Sequence, residues 1–514
     1  MSSAASERAA DELIPTPAQA AGRNLARGTS FLRDFGAFAA ANVGYLVLSA
    51  VLAFLLPRLL TVETYGHYRM FILYSGFVGL LHLGFLDGLL IRWAADPEGL
   101  IAGEMVPAAT FLGLLLGSIV LAFVLVAAAW VRGIWLWILL GTAAYALIYN
   151  GSALVQYALQ ARKMFAALSI YTIGLPAGLL CFVVVAYFVR KLNFFSLLSA
   201  YVLVYGFATV ALWGLLHHRI RWHWPTWAEI WHSGKLHLGL GWSILVASSL
   251  ANIALALDRV VLSARFSVRD FAIYSFAGNA LALTYAMIVS LSRVVFPYLS
   301  DGVSDEELRR IYGLGEEAIL VLWAGSLTVF FPIAWLILFW LPNYIPSLPL
   351  IRILLLATGF TTSIQVLHGA YFRIARKQDR FLIGAFVALG SAALLLLYGA
   401  VAKRLEWVAI AMVGSALAWW LVNELLLRDV IGHDAGRILR SLSLIVLCGA
   451  AFLFCASRQN LVLGCVAYVL WIVLVVEVFG RRVLRLAHAP VRRLLASIMP
   501  MDGLAADMGP QSQS

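Results

Sequence analysis

Only four cysteines occur in the 514 residues, Cys181, Cys448, Cys455 and Cys465. None form a CxxC pair and all sit in apolar stretches, so neither a zinc site nor a disulfide framework is indicated. Charge is equally scarce, at 12% of residues, against about a quarter in a soluble globular chain. The sequence also lacks a GxxxxGK[ST] phosphate loop, an HExxH metal motif and a GxSxG nucleophile elbow. It therefore carries no ATPase of its own, and no metal or cofactor is expected. No short apolar segment with a small-residue cleavage site precedes the first long apolar run, so no removed signal peptide is expected.

What is abundant is apolar residue, 62% of the chain. Runs long enough to cross a bilayer recur: about 20 residues at 1.5 Å rise span the hydrocarbon. Fourteen are expected, at 35–56, 69–92, 106–130, 134–159, 165–189, 193–217, 240–264, 272–297, 316–341, 348–373, 381–402, 406–427, 438–457 and 460–480. Most of the 37 lysines and arginines fall in loops that share one side if both termini are cytoplasmic, and this bias supports that orientation. The net charge of +11 then needs no nucleic acid. Residues 1–34, with Arg8, Arg23, Arg27 and Arg33, read as a disordered cytoplasmic tail, and 483–514 as a basic cytoplasmic tail.

Residues 219–239 divide the first twelve spans into bundles at 35–218 and 240–430, leaving spans thirteen and fourteen at 431–482. Within that linker Pro225 is placed to open an amphipathic helix in the membrane interface, with Trp227, Ile230 and Trp231 on one face. Ser304 and Glu307 have capping-box spacing for a helix feeding the ninth span. The bundles resemble each other. PRLLTVETYGHYRMF follows the first span and DRVVLSARFSVRDFAIYSFA the seventh, aligning Arg58 with Arg259 and Tyr68 with Tyr274. A six-helix unit is even, so the copies are parallel repeats, a transporter arrangement. The expected fold is an all-α integral membrane protein of about fourteen transmembrane helices: two parallel six-helix repeats plus two C-terminal helices.

Against this background the intramembrane charges stand out, since each costs about 2.5–3.5 kcal/mol at the bilayer centre and turns toward protein or water. Asp87 lies five residues before Arg92, off its face of the helix, with Gly84 and Gly88 forming a GxxxG face beside it. It reads either as a structural pairing near the cytoplasmic interface or as part of a gate or coupling site. Arg58 and Arg259 end the first helix of each repeat. They read as snorkelling residues or as a diphosphate clamp, the guanidinium fork matching phosphate oxygens. Asp258 is placed to neutralise Arg259. Arg293 and Arg352 lie within spans and are further diphosphate candidates. Glu424 and Glu477 lie near cytoplasmic span ends, where solvated positions are the simpler reading; Glu424 is also a gate or coupling candidate. Asn42, Gln156, Asn252, Asn279, Gln365 and His368 form a polar set suited to lining a cavity. His82 and His368 are placed to titrate near neutral pH.

Leu56-Pro57-Arg58, Tyr65-Gly66-His67-Tyr68 and Gly84-Phe85-Leu86-Asp87-Gly88 resemble the opening of bacterial polysaccharide exporters of the oligosaccharide flippase kind. In the second half, Asp258-Arg259 and Phe271-Ala272-Ile273-Tyr274 match the same pattern, with Ala272 where a glycine is usual. The resemblance implies a transporter of the multidrug/oligosaccharidyl-lipid/polysaccharide superfamily. Such a protein carries a polyprenyl-diphosphate-linked oligosaccharide to the outer leaflet of the cytoplasmic membrane, is no enzyme, and rocks its two halves about a central cavity, with ion gradients as the drive in relatives. Its expected partners are that lipid-linked oligosaccharide, membrane lipids, a polysaccharide polymerase and other assembly proteins. A cation-coupled drug exporter of the same fold is the alternative. A membrane glycan polymerase or ligase is a third reading, opposed by the short loops on the far side.

Overall fold

A computed structural model describes residues 40–96, 99–295, 305–374, 377–432 and 435–477. The terminal tails and the Ser304 cap fall outside them. Among the described residues the only regular structure is helix. In chain order these are α1 Ala40–Leu59, α2 Val62–Ser75, α3 Phe85–Ala95, α4 Gly99–Trp130, α5 Ile134–Ala161, α6 Phe165–Phe188, α7 Phe194–Leu216, α8 Trp227–Arg265 and α9 Val268–Val295. They continue as α10 Asp305–Ser326, α11 Phe330–Trp340, α12 Ser347–Thr362, α13 Gly369–Ile374, α14 Gln378–Ala402, α15 Leu405–Ile431, α16 Ala435–Ala456 and α17 Leu461–Val475.

Within the described residues, the fourteen expected spans fall on this helical framework; 35–39, 296–297 and 478–480 lie outside them. Among the described residues, ten helical stretches are long and apolar enough to cross a membrane, and a bent pair taken as one span makes an eleventh. The remaining three expected spans coincide with α8, α9 and the shorter α17. Large apolar side chains such as Phe207 (79% exposed) and Leu394 (73%) face outward. Water would not tolerate so extensive an apolar surface, and a bilayer requires it. The protein is a multi-pass membrane protein.

The chain forms two compact units, one up to Asn252 and one from Ile253, the boundary falling inside α8. In the N-terminal unit, the expected second span is broken. A 3₁₀ turn, Val78–His82, follows α2, and then Leu83 (φ 52°) and Gly84 (φ 86°) take left-handed conformations. The chain bends by 58° and restarts as α3. Only glycine adopts φ of +86° without strain. Phe85, Leu86, Leu89 and Trp93 of α3 are fully buried and pack in one core with Ile101 and Met105 of α4 and Val155 and Ala158 of α5.

The glycines of the GxxxG face serve a close crossing. A Cβ on Gly84 would lie 2.7 Å from the Gly241 carbonyl carbon, and one on Gly241 2.6 Å from the Gly88 nitrogen. A Cβ on Gly88 would collide with the His237 carbonyl. Backbone meets backbone between α3 and α8 because neither side carries a side chain there.

The linker departs from expectation. α8 is one continuous helix from Trp227 into the seventh span, so no separate interfacial helix forms. Thr226 caps it: Thr226 Oγ1 accepts the Glu229 N–H at 3.3 Å, and the Glu229 carboxylate accepts the Thr226 N–H at 2.7 Å. That N–H and then the Thr226 hydroxyl, which also donates to the carboxylate at 3.0 Å, lower the Glu229 carboxyl from its usual value. Trp227 and Trp231 share the exposed face (70% and 53%), but Ile230 is buried. At about 100° per residue, Ile230 sits roughly 60° away from Trp227 and turns into the core beside Leu216 and Ile220.

The Gly241 crossing makes a testable difference between two neighbouring glycines. Gly241→Ala forces the α3–α8 backbones apart and costs about 1–3 kcal/mol. Gly239→Ala, with nothing within 4 Å of its Cβ, is neutral. Thermal unfolding in detergent should show a lowered midpoint for the first variant alone.

Candidate functional site

Asp87 occupies the first turn of α3, three residues after Gly84. Unpaired backbone N–H groups and the positive helix end favour a carboxylate there. The acidic residue of HLGFLDGLLIR thus sits at a helix start, a position that depends on the break that precedes it. Arg92 is engaged elsewhere, its Nε and Nη2 donating to Glu104 Oε1 at 2.8 and 2.6 Å. His237 Nε2 lies 3.6 Å from Glu104 Oε2, and His237 Nδ1 is 2.7 Å from the Ser233 carbonyl. Glu104 and His237 form this cluster without having stood out in sequence, because Glu104 precedes the fully apolar part of its span and His237 falls in the linker.

Other members of the N-terminal unit are dispersed. Arg58 is exposed at the end of α1. Asn42 is half-buried on α1 and Asn252 exposed on α8. Gln156 donates to Ser152 Oγ at 3.3 Å, and Tyr171 to the same oxygen at 3.2 Å. His82 is buried and accepts the Gly84 N–H at 3.1 Å, bracing the break. Asn150, missed in sequence, is fully buried and ties α5 to that 3₁₀ turn, donating to the Val78 carbonyl at 3.0 Å.

In the C-terminal unit Asp258 is buried. Its Oδ1 lies 3.6 Å from Arg259 Nε, and its Oδ2 accepts the Tyr274 hydroxyl at 2.8 Å. Tyr68 at the matching place in the first half is also buried, but it shares a hydrogen bond with Tyr201 of α7. Pro57, where the second half has Asp258, supplies no acceptor.

Glu424 requires a correction. It is 1% exposed, not solvated. Its Oε1 accepts the Tyr312 hydroxyl at 2.8 Å and lies 2.9 Å from His368 Nε2. Two residues singled out separately in sequence thus meet. The element that brings them together is a π-helical turn, Ser363–His368, inserted between α12 and α13. Tyr312 was not foreseen, and it lies on α10 together with Glu316, which is also buried. Ser441 Oγ donates to Glu316 Oε1 at 2.5 Å, and Arg437 Nε lies 3.4 Å from Oε2. Glu316, Glu317, Trp323, Arg437, Arg440 and Ser441 are among the residues lining a small cleft. Gln365 lies on the π turn, half-buried, and Asn279 half-buried on α9. Arg352 stacks over the Phe330 ring, 5.3 Å from its centroid. The Arg293 side chain lies outside the described residues. Glu477 is exposed, as expected. Among the described residues no group of three or more His, Cys, Asp or Glu could hold a metal ion.

The family model for polysaccharide biosynthesis protein matches residues 55–339, more than half of the chain. The chain belongs to this polysaccharide biosynthesis family. No curated protein sequence matches it. Among solved structures it resembles the lipid II flippase MurJ in an inward closed conformation. That match has a TM-score of 0.61 at 14% identity and covers 88% of this chain and all of the other. It also resembles a MATE in complex with MaL6 (TM-score 0.51, 12% identity, 79% of this chain and 96% of the other). The Vibrio cholerae MATE transporter VcmN is a further match (TM-score 0.50, 16% identity, 77% and 96%). The fold of this family member is therefore the one shared by MurJ and the MATE transporters.

The ion-pair assignment can be checked by a double-mutant cycle. Arg92→Met and Glu104→Gln should couple by roughly 0.5–3 kcal/mol in unfolding free energy, as groups in direct contact do. Arg92→Met and Asp87→Asn should be additive.

Proposed function

We propose that the protein is a flippase that carries a polyprenyl-diphosphate-linked oligosaccharide from the inner to the outer leaflet of the bacterial cytoplasmic membrane by alternating access. The observation that carries this reading is the family match over 55–339, joined to a fold shared with a lipid II flippase along 88% of the chain. The physics agrees with it. A sugar-diphosphate head cannot cross hydrocarbon unaided, whereas its polyprenyl tail can stay in lipid. Moving the head needs cations that hold phosphate and keep their charge at any physiological pH. Arg58 and Arg259 are our candidates, one from each repeat, with Arg293 and Arg352 secondary. Asp258 holds Arg259 between substrates, and Asn42, Gln156, Asn252, Asn279 and Gln365 supply polar contacts. Asp87, and Glu424 with His368, act in gating or coupling. In this reading the protein is a transporter and not an enzyme, both termini are cytoplasmic, and a polymerase takes over the exported unit.

The second reading, a cation-coupled drug exporter, is favoured by one observation. Such a protein needs a carboxylate shielded from water, and Glu424 is one.

The two readings separate in a deletion strain. Under the flippase reading, loss of the chain abolishes surface glycan and leaves drug sensitivity unchanged. Arg58→Ala and Arg259→Ala, present in the membrane at wild-type level, restore less than about a tenth of it, as removal of a charge-assisted phosphate contact worth roughly 1.5–3 kcal/mol implies. Full glycan in both variants removes these arginines from the mechanism. Drug hypersensitivity with intact glycan selects the exporter.

A further inference from the structure

The Tyr312–Glu424–His368 cluster is expensive where it lies. His368 and Tyr312 are fully buried and Glu424 is 1% exposed, in a helix bundle that lipid surrounds. Hydrophobic residues of similar size would pack there without the desolvation cost of a carboxylate. The cluster also coincides with a π-helical turn, an irregularity that concentrates at functional sites. Its atoms are arranged unequally. Glu424 Oε1 takes both the tyrosine hydroxyl and the imidazole. An ionised carboxylate only accepts, so His368 Nε2 carries the hydrogen in that contact. The other ring nitrogen, Nδ1, is buried and has no hydrogen-bond partner. As the nitrogen without a hydrogen, it carries a lone pair in the ring plane that can take a proton.

We infer that His368 Nδ1 is a proton-binding site, with Glu424 as its counter-ion and the π-helical turn as the element that responds. A proton delivered from water converts neutral imidazole beside carboxylate into an imidazolium–carboxylate pair. The net charge of the pair rises by one and no bond other than Nδ1–H forms. Imidazole is the side chain whose charge changes between pH 5 and 8. An alkali or alkaline-earth cation is a poor alternative ligand, because such ions take several oxygens and the cluster offers a ring nitrogen. Once formed, the Nδ1–H is a buried donor without an acceptor, a costly state. The turn that carries His368 must therefore shift to bring an acceptor to it, or the proton leaves. This links occupancy to backbone position.

The neighbouring charges are accounted for from each packed element. On α10, Glu316 lies one turn beyond Tyr312 and is held by Ser441 and Arg437 of α16. On α13, Tyr371 sets its ring edge-on to Tyr312, with centroids 4.8 Å apart, and the Arg373 side chain lies outside the described residues. From α14, Arg380 pairs with Asp429 at 3.0 Å, a pair partly open to solvent near the end of α15. From α12, Arg352 is committed to Phe330.

The inference rests on the flippase reading only for its link to transport; proton binding itself needs no substrate, so the two fail separately. The test uses the purified full-length chain in liposomes without glycan. Hydrogen–deuterium exchange of the segment Ser363–His368 is compared at pH 5.5 and 7.5, corrected for intrinsic exchange, alongside infrared pH-difference spectra of the imidazole and carboxylate modes. Wild type should change its exchange in this segment at least threefold between the two pH values, with a histidine signal of matching midpoint. His368→Gln should lose both. Tyr312→Phe keeps the imidazole but removes the competing hydrogen bond to Glu424, so its midpoint should move to higher pH. That variant keeps the test informative where His368→Gln misfolds. Identical exchange at both pH values in the wild type would overturn the inference. So would a wild-type pH response in His368→Gln, or an unmoved midpoint in Tyr312→Phe.

Discussion

A polar group inside an apolar helix bundle has no water to turn to, and the best-defined features of this protein's described interior answer to that constraint. Asp87 is placed at the start of a helix. Arg92 closes on Glu104 with two short hydrogen bonds. Asp258 divides its oxygens between Arg259 and Tyr274. Asn150 reaches across to a backbone carbonyl of the 3₁₀ turn. Among the described residues some buried polar atoms lack a hydrogen-bond partner, and His368 Nδ1 is one of them.

The same constraint shapes the backbone. A span that breaks within the membrane leaves N–H and C=O groups that neighbouring protein must cover. Here the break at Leu83–Gly84 is braced by His82 and Asn150 and pressed against α8 through Gly84, Gly88 and Gly241. The glycines thus do two jobs: one supplies a left-handed conformation, and all three permit a crossing too close for side chains. The π-helical turn in the C-terminal unit is a second irregularity of this kind.

Much of the architecture could be read from sequence because a bilayer imposes length and apolarity on each span, and both are local properties. The same holds for the glycine face and for the mismatch between Asp87 and Arg92, which follow from helical periodicity. What sequence did not yield is long-range. Nothing local says that Glu424 meets His368, 56 positions away, or that Tyr312 completes the group. Placing Glu424 in solvent failed because distance from a span end says nothing about which neighbours cover it. The separate interfacial helix failed because Trp227 to Lys235 is compatible both with an independent amphipathic helix and with the start of a longer one. The face assignment of Ile230 failed with it, since burial against Leu216 and Ile220 was not visible locally.

The chain forms two compact units, each with buried polar clusters, in a fold shared with MurJ and the MATE transporters, and the function proposed for it is to move a charged head group past hydrocarbon. The most direct measurement is translocation by the purified protein in liposomes loaded with a fluorescent polyprenyl-diphosphate-linked disaccharide on the inner leaflet. Arrival at the outer leaflet is scored by a membrane-impermeant quencher. The account predicts quenching at least tenfold faster than in protein-free liposomes, and slowed by excess of the same lipid without its fluorophore. Quenching no faster than in protein-free liposomes, from protein that remains folded, would contradict it.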